Sequence, residues 1–508
     1  MAALVLINGK IVTVDDQFAI RQAVAIEGER ITAVGEDAEV LVRAVPDGTV
    51  IDLGGATVIP GLIDNHNHFV RATEHAEVRL DGVRTRAEAL DLLAQGAAGL
   101  SDGQWLLTLG GWYEEQWTGD RRELTLAELD AIAPVQPAFI QAQYDHATVN
   151  SAWLDAMDAA NAPASVETRT TGRVGGGMVA LNQAAAGFPA GDGDPAARAR
   201  ATMAYYNSLG LTTVFDPGGI GLSDASYDTI QALAARGELT LRVLTTLSAG
   251  LDEPAAAFAG RVRANVPFQG DQWYDRIAVG EIYDAAFHWD HAGRPPHPSA
   301  ADVAGATGIL ASATLTGWPV ETHSVTTEGL SLVLDGYERA EKERPIRALR
   351  WSVTHAEGIT PEHIERARRL GVAVQLRSQS VIRVGRASVA PLQLLQGSGL
   401  TWGLGTDGTR AAQINPFVTL WWAVTGRSLG GARLLDEPLT REQALIAHTR
   451  SNAQLMFREN YLGAIRPGLL ADLLVLDRDY LTVPDDEIRD IKPAATIVGG
   501  QVVYGTLP

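Results

Sequence analysis

The chain contains no cysteine, and lysine is nearly as scarce: of 41 cationic residues only Lys10, Lys342 and Lys492 are lysines, the rest being arginine. Without cysteine there is no disulfide, no thiolate metal site, no iron–sulfur cluster and no cysteine nucleophile. Long apolar runs are missing too. No uncharged stretch approaches the ~20 residues of a membrane span. The apolar run from Ala2 to Ile7, closed by Asn8-Gly9, is shorter than a signal-peptide core of ~7–15 residues and has no basic flank. Positive charge is in deficit, 41 Lys+Arg against 61 Asp+Glu for a net charge of −20, which argues against a nucleic-acid or anionic-membrane partner. A cytoplasmic protein is the expectation, and a homo-oligomer is compatible with it. The 508 residues, 46% hydrophobic and 20% charged, predict a globular chain. Its length suits more than one domain of ~150 residues.

The runs ALVLI and IVTV flank Asn8-Gly9 and predict a type I′ hairpin, because both central residues tolerate positive φ. AVAIEGERITAVG predicts a second hairpin. At the far end ADLLVLD (471–477) and TIVGGQVVYG (496–505) read as strands, the latter turning at Gly499-Gly500. β-Rich segments at both ends predict a composite β-sandwich built from residues 1–57 and 458–508. Between them, strand candidates at 57–66, 211–216, 240–247, 276–284, 318–323, 349–357, 371–377 and 400–407 alternate with Ala-, Leu- and Arg-rich helical stretches. Eight strands separated by helices is the count for an α/β fold of the (β/α)8 TIM-barrel type, here over 58–457. The gap after the first strand is too long for one crossover. Residues 75–198 hold strands of their own (WLLTLGGW, PAFIQAQ) and a Gly-rich TGRVGGGM turn, and are read as an insertion that covers the active face.

The informative polar residues stand at the C-terminal ends of these strands. Asp64-Asn65-His66-Asn67-His68 ends the first, Glu281 lies near the end of the fourth, His323 ends the fifth, His355 the sixth and Asp407 the eighth. In a barrel these ends converge on one rim, so residues far apart in sequence meet there. His-x-His on an extended strand puts both imidazoles on one side, since side-chain direction alternates with period two. Four histidines with two carboxylates make a nitrogen and oxygen pocket suited to Zn2+ or a similar divalent ion. Any one of them alone is more often a hydrogen-bonded structural group; the ordered set carries the metal reading.

With these residues in view, the sequence resembles the metal-dependent amidohydrolase superfamily, through Pro60-Gly61-Leu62-Ile63-Asp64-Asn65-His66-Asn67-His68, Thr322-His323, Thr354-His355-Ala356-Glu357, Gly405-Thr406-Asp407 and Gly468-Leu469-Leu470-Ala471-Asp472-Leu473. More narrowly it resembles amidohydrolase family 3, the branch of N-substituted formamide deformylases, through Gly111-Trp112, Trp117 and Asp145-His146-Ala147-Thr148-Val149-Asn150-Ser151. The resemblance implies His66 and His68 on one metal, His323 and His355 on a second, and Asp407 as ligand and proton shuttle. Binuclear members need an anionic bridge, commonly a carbamylated lysine from strand four. Lys10 and Lys492 fall in the terminal strands and Lys342 in a helical stretch, so Glu281 is the expected bridge. The other reading makes Glu281 an acid/base or supporting group beside a single ion.

The implied function is hydrolysis of a non-peptide carbon–nitrogen bond, in an amide, formamide, carbamate or cyclic amide, by hydroxide generated at one or two Zn2+ or other divalent ions, with Asp407 moving the proton. Alternatives are a heteroaromatic deaminase with one metal and an inactive barrel serving as an assembly protein. Aromatic residues near the rim, Trp112, Tyr113 and Trp117 in the insertion and His288 and Trp289 beyond Glu281, suit a flat or apolar substrate or equally the packing of a lid. By resemblance His146 is a candidate catalytic hydrogen-bond donor to the substrate or oxyanion, with structural capping as the other reading, and Arg377 at the end of strand seven is a candidate to hold a substrate carboxylate. Two departures from the branch, Arg377 where glutamine is usual and Ser324-Val325-Thr326-Thr327 after His323, bear on the formamide substrate.

Overall fold

Pro60 and Gly61 divide the first long apolar run into two strands that serve different sheets. In the computed structural model, which describes residues 4–42, 48–175, 177, 181, 184, 188, 193–219, 221–250, 252–284, 296–384, 389 and 391–508, Thr57–Pro60 joins strands of both termini while Leu62–Asp64 opens the central sheet. Gly61 is required at the break because a Cβ there would meet Thr212 Oγ1 at 2.3 Å.

Eight central strands follow the expected order: β1 (Leu62–Asp64), β2 (Leu211–Asp216), β3 (Arg242–Leu247), β4 (Tyr274–Val279), β5 (Glu321–Ser324), β6 (Ser352–His355), β7 (Ala373–Arg377) and β8 (Trp402–Gly405). They are nearly all buried, as parallel strands covered by helices must be. The described ladders make two four-stranded parallel sheets, β1 to β4 and β5 to β8, rather than one continuous ring. Isolated parallel bridges, Val279 with Val320 and Asn67 with Gly408, meet at the two seams. The architecture is mixed α/β of TIM-barrel type. The helix between β6 and β7 shows how the local sequence sets the alternation. Thr360 Oγ1 caps the His363 N–H, Pro361 sits in the first turn, Ile364, Ala367 and Leu370 form the buried stripe, and Gly371 at φ 73° ends it. Among the described residues no helix is long and apolar enough to cross a membrane.

The terminal strands form two sheets. One has six strands in the order Gln501–Gly505, Pro493–Val498, Leu473–Leu476, Thr57–Pro60, Lys10–Val12, Ile20–Arg21, and the other has four, Arg30–Gly35, Ala23–Glu27, Leu4–Ile7, Thr49–Asp52. Leu6, Val24 and Ile31 from the second sheet pack with Ile11, Val58, Val475 and Ile497 from the first in one apolar cluster. The expected hairpin at Asn8-Gly9 does not form. Leu4–Ile7 already has both edges occupied, antiparallel by Ala23–Glu27 and parallel by Thr49–Asp52, so the turn, with Asn8 at φ 52°, carries the chain into the other sheet. The other two hairpins form, with Glu27 facing Arg30 and Val498 facing Gln501.

Residues after β1 build a further mixed sheet of Leu106–Leu109, Ala138–Ala142, His146–Val149 and Arg173–Gly175. It sits on the loop that follows β8. Gly111 N–H donates to Arg410 O at 3.0 Å, Arg79 Nη2 to Thr409 O at 2.9 Å and Gln143 Nε2 to Ala411 O at 2.8 Å.

One buried ion pair ties the terminal sheet to the central strands. Arg242 of β3 donates from Nε and Nη2 to Asp472 at 2.8 and 2.9 Å, and Asp472 also accepts from Gly499 N–H at 2.8 Å. Removing one partner strands the other charge in the interior, so Asp472→Asn is expected to cost about 3–5 kcal/mol in chemical denaturation. A loss under about 1 kcal/mol, the value of an exposed pair, would show that the pair does not join the two layers.

Candidate metal centre

The end of β1 is fixed by Asp64, whose carboxylate accepts from His66 N–H at 3.2 Å, Asn67 Nδ2 at 2.9 Å, Thr406 N–H at 2.9 Å and Thr406 Oγ1 at 2.5 Å. It thereby joins the ends of β1 and β8. Asp407 N–H donates to His66 O at 2.8 Å, and His68 N–H to Gly408 O at 2.6 Å. His355 and Asp407 adopt φ of 69° and 60°, a left-handed conformation that costs non-glycine residues roughly 1–2 kcal/mol and clusters at functional sites.

These strand ends bring four imidazoles around one carboxylate. Glu281 Oε2 lies 2.9 Å from His323 Nδ1, 3.1 Å from His355 Nε2 and 3.7 Å from His66 Nε2, while Oε1 lies 3.7 Å from His68 Nε2. Two donor sets result, His66 with His68 and Glu281, and Glu281 with His323 and His355, each with donor atoms within 4.8 Å of one another and all buried. Asp407 joins from β8, its Oδ1 3.2 Å from His68 Nε2 and 3.8 Å from His66 Nε2. Ring orientation is set from behind. His66 Nδ1 contacts Glu321 Oε1 and Thr354 Oγ1, both at 3.0 Å, and His68 Nδ1 contacts Gly218 O at 2.8 Å, so each Nε2 points to the centre. His66 Nε2 is buried with no hydrogen-bond partner among the described residues. A buried orphan nitrogen amid histidine and carboxylate donors fits a divalent ion such as zinc.

The electrostatics agree. Burial disfavours charge on His66, yet Glu281, Glu321 and Asp407 outweigh it and raise the imidazole to about 9. Burial would likewise raise Glu281, but His66 and His323 hold it well below the ordinary carboxylate range. For Asp407, burial is overcome by His68, His355 and Arg377, and the carboxyl stays ionised. Burial, Arg377 and His323 hold His355 well below the ordinary imidazole range, so negative charge at the centre is met by Arg377 and by a proton on His66, which is a cation site in outline.

The other expected residues that the structure describes have partners of their own. Arg377, read from the sequence as a holder of substrate carboxylate, donates from Nε to Glu357 Oε1 at 2.5 Å and from Nη1 to Asp407 Oδ2 at 2.7 Å, so it clamps Asp407 instead. Trp112 and Trp117 stack on each other with centroids 5.2 Å apart inside the insertion's own apolar cluster. Tyr113 lies under Arg383, whose guanidinium carbon is 3.9 Å from the ring centroid. His146 is buried in a polar cluster of the insertion, 3.1 Å from both Asp145 Oδ2 and Glu114 Oε1. His288 and Trp289 lie outside the described residues. Glu321 escaped the sequence reading. It precedes His323 by two positions on β5, the same-face spacing that was used for His66 and His68.

The sequence matches the model of the amidohydrolase family over residues 49–504. It is 26% identical to the N-substituted formamide deformylase of Arthrobacter pascens, over 99% of this chain and 98% of that protein. The structure resembles that of an uncharacterized metal-dependent hydrolase from Pyrococcus furiosus, with a TM-score of 0.68 and 22% identity over 95% of this chain and 100% of the other. It also resembles atrazine chlorohydrolase from Arthrobacter aurescens complexed with zinc, with a TM-score of 0.55 and 18% identity over 99% and 95% of the two chains.

Because Glu321 orients His66, Glu321→Gln is expected to weaken metal affinity about 10–100-fold in chelator competition; unchanged affinity would contradict that role. At His146, burial lowers the pKa but Asp145 and Glu114 raise it to about 9, above an unfolded value of about 6.5. The stabilisation, up to about 3 kcal/mol, is therefore complete below pH ~6.5 and lost as pH climbs through ~9. The stability gap between wild type and His146→Asn should close over that interval; a gap that widens would refute the assignment.

Proposed function

The chain belongs to the amidohydrolase family, and from that membership we propose that it hydrolyses a carbon–nitrogen bond outside peptides, in an amide, formamide, carbamate or cyclic amide, at a centre for two divalent ions. The observation that carries this reading is that Glu281 belongs to both donor sets. His66, His68 and Glu281 would hold one ion, and Glu281, His323 and His355 the other. Lys10 is paired with Asp479 at 2.6 Å, Lys342 lies in the helix Thr327–Glu343 and Lys492 precedes the strand Pro493–Val498, so the bridging charge falls to Glu281. A carboxylate, like a carbamate, spreads one negative charge over two oxygens. We read the two half-sheets as one barrel, capped by the insertion and flanked by a sandwich of residues 1–57 and 458–508.

Ions held there by these residues would supply Lewis-acid polarisation of the scissile carbonyl and would acidify water enough for attack at neutral pH. The protein moves the proton. Asp407 Oδ2 is fixed by Arg377 while Oδ1 faces the histidines, so Oδ1 takes the proton of the attacking water and returns it to the leaving nitrogen. Glu357 holds Arg377 from the other side and keeps the clamp in register. Formamides are the first class to try, because the deformylase relative spans the whole chain.

The test is a panel of N-formyl, N-acetyl and carbamate aryl amides with wild type and Asp407→Asn. Turnover should fall by about a hundredfold or more in the variant, with bound metal largely retained. Normal turnover by Asp407→Asn would remove Asp407 from the mechanism.

A further inference from the structure

A cavity of about 540 Å³ opens where the insertion, a central helix and the C-terminal segment meet, and none of the residues around Glu281 lines it. Arg84 reaches it from just before the insertion helix Arg86–Ala98, and Asn415 from the N-terminus of the helix Pro416–Thr425, where the loop leaving Asp407 ends. Arg478, Arg489, Lys492 and Tyr504 come from the C-terminal segment. In a chain with 41 cations against 61 acids, the lining carries four cations and one carboxylate, Asp490.

Two of the four cations have carboxylate partners. Arg84 Nη2 pairs with Asp490 Oδ1 at 3.2 Å, and Arg478 Nη1 with Glu487 Oε2 at 3.0 Å. Among the described residues neither Arg489 nor Lys492 forms an ion pair or donates a side-chain hydrogen bond, and Arg489 Nε is buried. Arg489 is held by stacking instead, its guanidinium carbon 4.4 Å from the Trp421 ring centroid. Stacking fixes the plane of the fork while leaving its donors to an incoming acceptor. A second cavity, lined by Arg347, Arg350 and Arg368, lacks this feature. Those guanidiniums donate to the carbonyls of Arg368, Arg369, Gln454 and Ser398, and so tie off loops and a helix end.

The unpartnered pair selects the ligand. A phosphate group carries about two negative charges at neutral pH and three acceptor oxygens, enough for both cations, whereas a carboxylate carries one charge. The volume exceeds what a lone ion fills, and Tyr504 adds an aromatic ring to the wall. We propose that this cavity binds a small phosphorylated organic molecule, its phosphate held by Arg489 and Lys492 and its body beside Tyr504. The site is separate from the metal centre and stands whether or not the chain hydrolyses amides.

Calorimetry on the zinc-loaded protein, at fixed ionic strength, with phenyl phosphate, inorganic phosphate and benzoate tests this. Phenyl phosphate should bind most tightly, and benzoate about tenfold more weakly or worse. Arg489→Gln should weaken phenyl phosphate about tenfold or more. Lys492→Gln, which changes an exposed side chain and leaves the Trp421 stack alone, should weaken it about two- to fivefold. Asp490→Asn, which removes the one acid of the lining, should tighten it. Phenyl phosphate should also raise the Tm of wild type and not that of Arg489→Gln. No binding of phenyl phosphate, or benzoate binding as tightly, overturns the phosphate site. Inorganic phosphate binding as tightly overturns the place given to an organic body. Binding unchanged in both Arg489→Gln and Lys492→Gln puts the anion elsewhere, the metal centre included, and overturns the assignment.

Discussion

The carboxylate of Glu281, buried and within 2.9–3.7 Å of four imidazoles, is the point about which the catalytic half of this molecule is organised. Its histidines come from the ends of β1, β5 and β6, and Asp407 comes in from the end of β8. An unpaired charge in such a place would be prohibitive, so the surrounding structure must keep every partner within reach. Asp64 does this for β1 and β8, with four hydrogen bonds that leave neither strand end free to turn. Glu321 and Gly218 do it for the rings of His66 and His68.

The same logic extends outward through charged pairs. Arg377 holds Asp407 and is held by Glu357. Arg79 joins Glu77 and Asp81 at 2.8 and 2.6 Å and reaches Thr409 O, while Asp81 accepts from Ile414 N–H at 3.0 Å. The insertion thus braces the loop that leaves Asp407, and its position depends on buried ion pairs as well as on the stacked Trp112 and Trp117. That helps to explain why arginine, with its planar fork, so outnumbers lysine here: many of the contacts are bidentate or shared between two acceptors.

Much of this was legible in the sequence. The central strands were legible because their apolar runs are short, β-branched and separated by helices with clear caps, although the first run splits at Gly61 between two sheets, and the structure brings the candidate residues together around Glu281 because they stand at equivalent strand ends. The hairpin at Asn8-Gly9 did not, because a turn motif says which local conformation is allowed and not whether a strand's edges are already taken. Arg377 was misread because its partners, Glu357 and Asp407, come from other strands. The tryptophans of the insertion were ambiguous because aromatic density near a rim suits packing and binding alike.

The central claim is that one carboxylate joins two metal sites where the chain has no lysine to offer. The most direct test is an anomalous-diffraction map at the zinc absorption edge from zinc-loaded crystals. Two peaks flanking Glu281, one by His66 and His68 and the other by His323 and His355, are predicted. A single peak with Glu281 outside its coordination sphere would contradict the account.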